Sequence, residues 1–240
     1  MMLKDLSKRS TEPELMDDFQ EGRENLKIVF DDINRVNTIL GGNGITVDAV
    51  RKLIEQNPQE SYTIVDMGCG DGNMLREVAK FCKNRSLKVR LIGIDLNAEA
   101  LELAKSASLK YPEIEYQHRD ILQLETKDLN CDIVINTLTM HHFTDKNLLI
   151  FLRKFNQLAR IGVIINDLQR SRWAYYLFKL FSLIFIKTKT AKIDGLISIS
   201  RGFVKSDLVQ YTKSLPEIRH HIQWKWAFRY VWIMQPNRLT

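Results

Sequence analysis

IVDMGCGDGN, residues 64–73, decides the fold. Two apolar residues lead into Asp66, and glycines then stand at 68, 70 and 72. A short apolar run ending in a glycine-rich turn reads as a strand handing over to a helix. Such turns commonly cradle phosphates. This one carries two carboxylates, Asp66 and Asp71, which would repel a phosphate. The third glycine of a GxGxxG fingerprint is replaced by Asn73. Both departures suit a cofactor with a cationic amino-acid end, whose ammonium or sulfonium a carboxylate attracts directly or through water.

Outward from that turn the chain alternates. Strands are expected over 62–67, 89–96, 114–120, 131–137 and 162–167, with helices over 72–84, 97–110 and 145–159 between them. The strand runs are short and continuously apolar, as in strands covered on both faces. Strand–helix alternation of this kind predicts a Rossmann-like, doubly wound parallel α/β sheet. Upstream, Phe19, Leu26, Val29, Phe30, Ile33, Val36 and Leu40 form a helical stripe over about 17–40, and 45–56 forms a second helix. Downstream come an apolar helix over about 171–187, a helix over 204–215 capped by Ser206, and two runs of high strand propensity, HIQWKW and FRYVWIM, that predict an antiparallel pair. One domain over 1–240 accounts for this better than two. Its parts are a helical cap (1–59), a cofactor-binding core (60–167), a lid or acceptor insertion (168–203), and a C-terminal helix with a hairpin (204–240).

In an open α/β sheet, ligands bind beyond the C-terminal ends of the strands at the switch point. Asp95, ending the second strand, is placed to accept hydrogen bonds from a ribose diol. Asp120, after the third, is placed to meet an adenine amino group, with Ile121 or Leu122 against the ring. A solvent-facing carboxylate and a helix cap are the plain alternatives for these two acids.

VDMGCGDG, GIDLN, HRD and DIVINTLTMHHF, in that order, resemble the motifs of class I S-adenosylmethionine-dependent methyltransferases over about 60–235. The resemblance implies sheet order 3-2-1-4-5-7-6 with one antiparallel strand. It implies Gly68 and Gly70 beside the methionine moiety, with Asp66, Cys69, Asp71 and Gly72 in the same turn. It also implies Asp95 and Leu96 at the ribose, Asp120 and Ile121 at the adenine, and Asn136 and Thr137 near the reacting methyl. The product is then S-adenosylhomocysteine. The fourth strand lacks the Asn/Asp-Pro-Pro-Tyr of many amino-methyltransferases. Its paired histidines, His141 and His142, are similar to those of small-molecule methyltransferases, including the quinone-biosynthesis type.

INDLQRSRWAYYLFKLFSLIFI (165–186) and LISISRGF (196–203), with EPELMDD and VNTILGG, resemble small bacterial methyltransferases of polyketide and phenolic-lipid pathways. The implied reaction is methylation of a phenolic oxygen, with carbon methylation of a quinol-like ring as the close alternative. RNA or protein methylation and a non-catalytic scaffold are further alternatives. His141 or His142 is a candidate general base; Asp167 and Arg170 are candidates facing the acceptor, unless they pair with each other.

Composition sets limits. Residues 170–240 hold 13 Lys or Arg against 3 Asp or Glu, while 1–169 is net acidic. A basic surface of this kind suits an anionic membrane or nucleic acid, but no RNA-binding module or aromatic–basic repeat is visible. The helix 173–186 is apolar nearly all round, so something covers it: an apolar or aromatic acceptor, a second copy in a homodimer, a membrane surface or the core. Lys179 interrupts it, and it is shorter than the roughly 20 residues that span a bilayer. Cys69, Cys82 and Cys131 fit no zinc spacing or disulfide framework and read as free thiols; no metal ligand set is expected. With an N-terminus that lacks a signal-peptide core, this predicts a cytoplasmic protein.

Overall fold

The computed structural model describes residues 4–18, 22–125 and 129–237, so Phe19 of the expected helical stripe lies outside them. Seven strands form one sheet: β1 (Ser61–Met67), β2 (Lys88–Asp95), β3 (Ile114–His118), β4 (Cys131–Thr137), β5 (Ala159–Leu168), β6 (Ile218–Lys225) and β7 (Arg229–Pro236). Their order is β3-β2-β1-β4-β5-β7-β6, as expected, and β7 runs antiparallel to both its neighbours.

Helices α1 (Arg23–Ile39), α2 (Gly42–Gln56), α3 (Asn73–Asn84), α4 (Ala98–Ala107) and α5 (Asp145–Leu158) surround the sheet with α6 (Arg172–Phe185), α7 (Lys189–Arg201) and α8 (Lys205–Thr212). Both sheet faces are buried, which explains the unbroken apolar runs. On one face Val65, Met67, Val134, Val163 and Trp232 pack with Phe151 and Phe155 of α5. On the other, Ile64, Ile133, Ile135 and Ile164 pack with Leu53 of α2 and Leu75 and Val78 of α3. The three cysteines are buried and free.

Local chemistry sets the boundaries. Asn97 caps α4 by accepting the Ala100 N–H at 3.0 Å, and Gly72 (φ +75°) admits the left-handed turn before α3. The C-terminal helix is not capped by Ser206: α8 starts after Val204, whose N–H donates to Asp207 at 3.0 Å. Helix α7 escaped the sequence reading. Its apolar pattern is broken by Asp194, Ser198 and Ser200, all buried.

Those buried polar groups receive an N-terminal strap, residues 4–18. The N–H groups of Leu15 and Met16 donate to the Asp194 carboxylate at 2.7 and 3.0 Å, and Ser198 donates to Glu14 at 2.8 Å. Arg9 stacks 4.4 Å from the centroid of Phe203 and donates to the carbonyls of Arg201, His141 and Phe143.

Arg170 belongs to the same fastening. Its guanidinium is buried, donates to the carbonyls of Leu6 and Gly202, and pairs with Asp207 at 2.9 Å. It neither faces an acceptor nor pairs with Asp167, so its expected site role is corrected to a structural one.

Of the covers expected for the apolar helix, core packing does not hold for its outer stripe. Trp173, Leu177, Leu180 and Ile184 face solvent, and only Ala174 and Ser182 of α6 are buried. The helix packs on α7 and α1. No helix among the described residues is long and apolar enough to cross a membrane.

Removing Arg170 strands two carbonyls and Asp207. Arg170→Met is therefore expected to lower the unfolding free energy by roughly 3 kcal/mol. Urea denaturation measures this, and a loss below about 1 kcal/mol would contradict the fastening role.

Candidate functional site

The turn after β1 is locked at the switch point. Ile94 O of β2 accepts from Gly68 N–H at 2.8 Å and Cys69 N–H at 3.1 Å. From the other side, Asn136 of β4 donates its amide to Met67 O at 2.6 Å, and Thr139 donates to Gly68 O at 3.2 Å. Gly68 and Gly70 both have positive φ, +77° and +53°. The room left by their missing Cβ atoms is occupied by protein: Thr139 lies against Gly68, and Phe30 of α1 lies 3.0 Å from a Cβ built on Gly70. The glycines thus admit close packing of the turn's own neighbours, a use the sequence reading did not foresee.

The two acids of the turn part company. Asp71 is turned onto the protein: it accepts from Asn73 N–H (3.1 Å), Asn34 (2.8 Å) and Arg76 (3.1 Å). Its expected place against a ligand is corrected to an anchor between the turn, α1 and α3. Asp66 is buried at 1% exposure, and its Oδ1 has no hydrogen-bond partner. Burial, then the neighbouring Asp95, pushes its carboxyl up to about 8. A buried carboxyl without a cationic partner holds its proton; a cation beside it would release that proton.

Asp95 stands half-buried at the end of β2. One oxygen accepts Gly70 N–H at 2.8 Å and the other accepts Asn97 N–H at 2.9 Å. A carboxylate has about four acceptor positions, so two remain for further donors. Leu96 beside it is 66% exposed, an apolar face with nothing on it. Asp120 closes its own turn, accepting from Leu122 N–H (2.8 Å) and Gln123 (3.0 Å), with Ile121 buried beneath. Asp120 thus closes a turn, with no helix starting there among the described residues, and its partly exposed carboxylate keeps further acceptor positions.

Across the strand ends runs a row of buried polar groups. Thr137 shares a 3.1 Å hydrogen bond with Thr46 of α2. Asn166 donates to Gly42 O and to Thr46, each at 3.0 Å, leaving its Oδ1 unpaired. Asn136 Oδ1 is likewise unpaired. Arg229, 2% exposed at the start of β7, donates to Asn37 at 2.7 Å, while its Nε and Nη1 have no partner. Burial lowers its pKa to about 10. Thr46, Asn166 and Arg229 were missed because no local motif marks them; only the register of β4, β5 and β7 brings them together.

The paired histidines lie in a short 3-10 turn, Met140–His142, after β4. His141 is 2% exposed. Its Nδ1 is 2.7 Å from Asp167 Oδ1, and its backbone N–H donates to Asp167 Oδ2 at 3.1 Å. Burial opposes its charge, but Asp167 and then Glu14 of the strap outweigh that and raise its pKa to about 9. With Nδ1 on Asp167, Nε2 facing Glu14 and the ring buried, His141 is held within the protein, a geometry that favours a structural role over a general base. His142 is about a quarter exposed, with Nδ1 3.1 Å from Asp17. Burial works against Asp17, yet the His142 hydrogen bond prevails and takes its pKa down to about 2. Asp167 is spent on His141 and on Leu168 N–H, 2.7 Å away. Arg201 holds the loop by donating to the carbonyls of His141 and His142.

The chain is similar to known methyltransferases. Residues 64–162 match the family model described as a methyltransferase domain. A putative methyltransferase, 235L, of Invertebrate iridescent virus 6 is 24% identical over 128 residues, 48% of this chain; the match spans 45% of that relative's length. The plantazolicin methyltransferase BpumL, solved with a monoazolic desmethylPZN analog and SAH, is 17% identical with a TM-score of 0.66, covering 88% of this chain and 90% of its own. Magnesium protoporphyrin IX methyltransferase (ChlM) of Synechocystis PCC 6803, solved with SAH, is 15% identical with a TM-score of 0.59, covering 87% and 94%. Residues 64–162 thus match a methyltransferase domain, and the seven-stranded sheet around them shares the fold of these solved S-adenosylmethionine-dependent enzymes.

Proposed function

We propose that the chain transfers the methyl group of S-adenosylmethionine to the phenolic oxygen of a small, apolar aromatic acceptor of the polyketide or phenolic-lipid kind, in the cytoplasm. The observation that carries the donor half is the pairing of two different acids about one glycine turn. Asp66 offers a buried oxygen without a partner, and Asp95 keeps acceptor positions beside an exposed apolar residue. The first suits the ammonium of the donor's amino-acid end. The second suits a ribose diol, with Leu96 or Ile121 against the base. Neither site suits a pyrophosphate. Solved structures of the same fold with SAH bound support this reading.

When bound, the donor supplies an electrophilic methyl on a sulfonium whose departure as a thioether drives the transfer. The chain's own residues position and shield. Asn136 and Thr139 fix the turn relative to β4, Phe30 and α1 lie over it, and Thr137 and Thr46 line the edge beyond. An in-line displacement with so good a leaving group draws most of its acceleration from such alignment. The mostly aliphatic outward stripe of α6 supports an acceptor, or a surface presenting it, that is apolar.

Asp95→Ala is expected to weaken S-adenosylhomocysteine binding about 100-fold, from loss of two charge-assisted hydrogen bonds. Isothermal titration calorimetry reads this; unchanged affinity would remove the donor assignment. Asp66 gives a pH signature. Below about 8 its carboxyl is protonated in the free protein, and a bound ammonium requires it ionised. Affinity should therefore rise from pH 6 toward 8, by at most about tenfold per unit, with a proton released on binding. Asp66→Asn should abolish both the slope and the proton release, and a wild-type affinity flat across that range would contradict the pairing. On the acceptor side, a panel of alkylresorcinols and simple phenols should yield methyl ethers by mass spectrometry; products methylated only on carbon would overturn the phenolic oxygen.

A further inference from the structure

The histidine pair has a feature that neither the fold nor methyl transfer requires. Each ring has its Nδ1 on a carboxylate, His141 on Asp167 at 2.7 Å and His142 on Asp17 at 3.1 Å. Each ring then turns its Nε2 toward the same third carboxylate, Glu14 of the strap. His141 Nε2 is 3.2 Å from Glu14 Oε1, and His142 Nε2 is 3.7 Å from Glu14 Oε2. One ligand atom from each of the three residues lies within 4.8 Å of the others.

Hydrogen bonding accounts for the Nδ1 atoms and leaves Nε2 of His141 over. Although Glu14 Oε1 is close, it lies off the donor axis, and this buried nitrogen has no hydrogen-bond partner. A tetrahedral ion with bonds of about 2.0–2.2 Å to nitrogen and oxygen holds its ligand atoms about 3.3–3.5 Å apart. Those atoms point at the ion rather than at each other. The two Nε2 atoms lie 3.2 and 3.7 Å from the two oxygens of Glu14, close to that spacing, and one atom from each residue lies within 4.8 Å of the others. A ring whose other nitrogen is fixed by a carboxylate is the usual support for a histidine ligand. Charge agrees. Glu14, Asp17, Asp167 and Asp194 crowd this region, against Arg201, 3.5 Å from Asp17, and Arg9, which donates to His141 O at 3.2 Å.

We propose that Glu14, His141 and His142 form a site for a divalent transition-metal cation of the Zn2+ class, with Asp167 and Asp17 orienting the two rings. Three protein ligands leave a fourth position to water or to an oxygen ligand, the arrangement of an open rather than a closed zinc site. The ion takes the place of the proton between His141 Nε2 and Glu14, so loading releases protons. It also ties the strap to the loop after β4. Histidine with carboxylate donors suits Zn2+ or Co2+ better than Mg2+ or Ca2+, which prefer all-oxygen shells.

The test uses the full chain, stripped with chelator and titrated with Co2+ and then Zn2+. The expected result is saturation at one ion per chain, a visible d–d absorption characteristic of four-coordinate Co2+, and its bleaching by Zn2+. His142→Ala and Glu14→Gln should abolish the band while circular dichroism confirms that they stay folded; Asp17→Asn, acting through His142, should weaken binding about 10–100-fold. His221→Ala, on β6, is the control and should bind as wild type. Absence of saturable binding, or binding that survives both His142→Ala and Glu14→Gln, overturns the site and leaves an imidazolium–carboxylate network. Because metal loading is read without donor or acceptor, its failure is distinguishable from failure of the methyl-transfer proposal.

Discussion

The clasp between β1 and β4 is the constraint on which the rest depends. In a doubly wound sheet these two strands meet where the chain's winding reverses, and their C-terminal ends diverge. Here the divergence is bridged by the Asn136 amide on Met67 O and by Thr139 on Gly68 O. On the far side Ile94 O takes two N–H groups from the same turn. The turn therefore has no freedom to collapse into the crevice. Asp66 is held at the strand end with an oxygen unpaired, and Asp95 is held to the turn through Gly70 N–H. Burying a carboxyl without a partner costs stability, and the chain tolerates that cost at the position where a cationic group would relieve it.

The core sheet was legible because its signals are local. Continuous apolar runs between breakers give strands covered on both faces, and Asp66, Asp95 and Asp120 fall at strand ends because strand length fixes them there. The glycine turn and Asp95 mark the edge that binds. What was not legible depends on contacts between distant segments. Helix α7 hides because its polar residues, Asp194 and Ser198, are buried against the strap rather than exposed. Asp71 and Arg170 look like site residues in sequence, yet Arg76, Asn34 and Asp207 claim them. Arg229 gives no local hint; only the antiparallel register of β7 with β5 puts it beside the strand ends.

Charge tells a similar story. In the basic C-terminal third, Arg170, Arg201 and Arg229 are buried in structural work, while Arg172, Lys179, Lys187, Lys189, Lys205, Lys213 and Arg219 stay exposed as the expected basic surface. The buried three hold the strap, the histidine loop and α1. The apolar helix is not core-packed: within the single chain its outer stripe faces solvent. Sequence hydropathy fixes that such a stripe exists; which way it points depends on whether α1 and α7 claim the opposite side, as they do here.

The most direct test of the account is a crystal structure of the chain with S-adenosylhomocysteine. The account predicts the ligand's ammonium within hydrogen-bond reach of Asp66 Oδ1, its ribose hydroxyls on Asp95 and its base against Leu96 or Ile121. A ligand bound away from the end of β1, or one that leaves Asp66 Oδ1 without a partner, would contradict it.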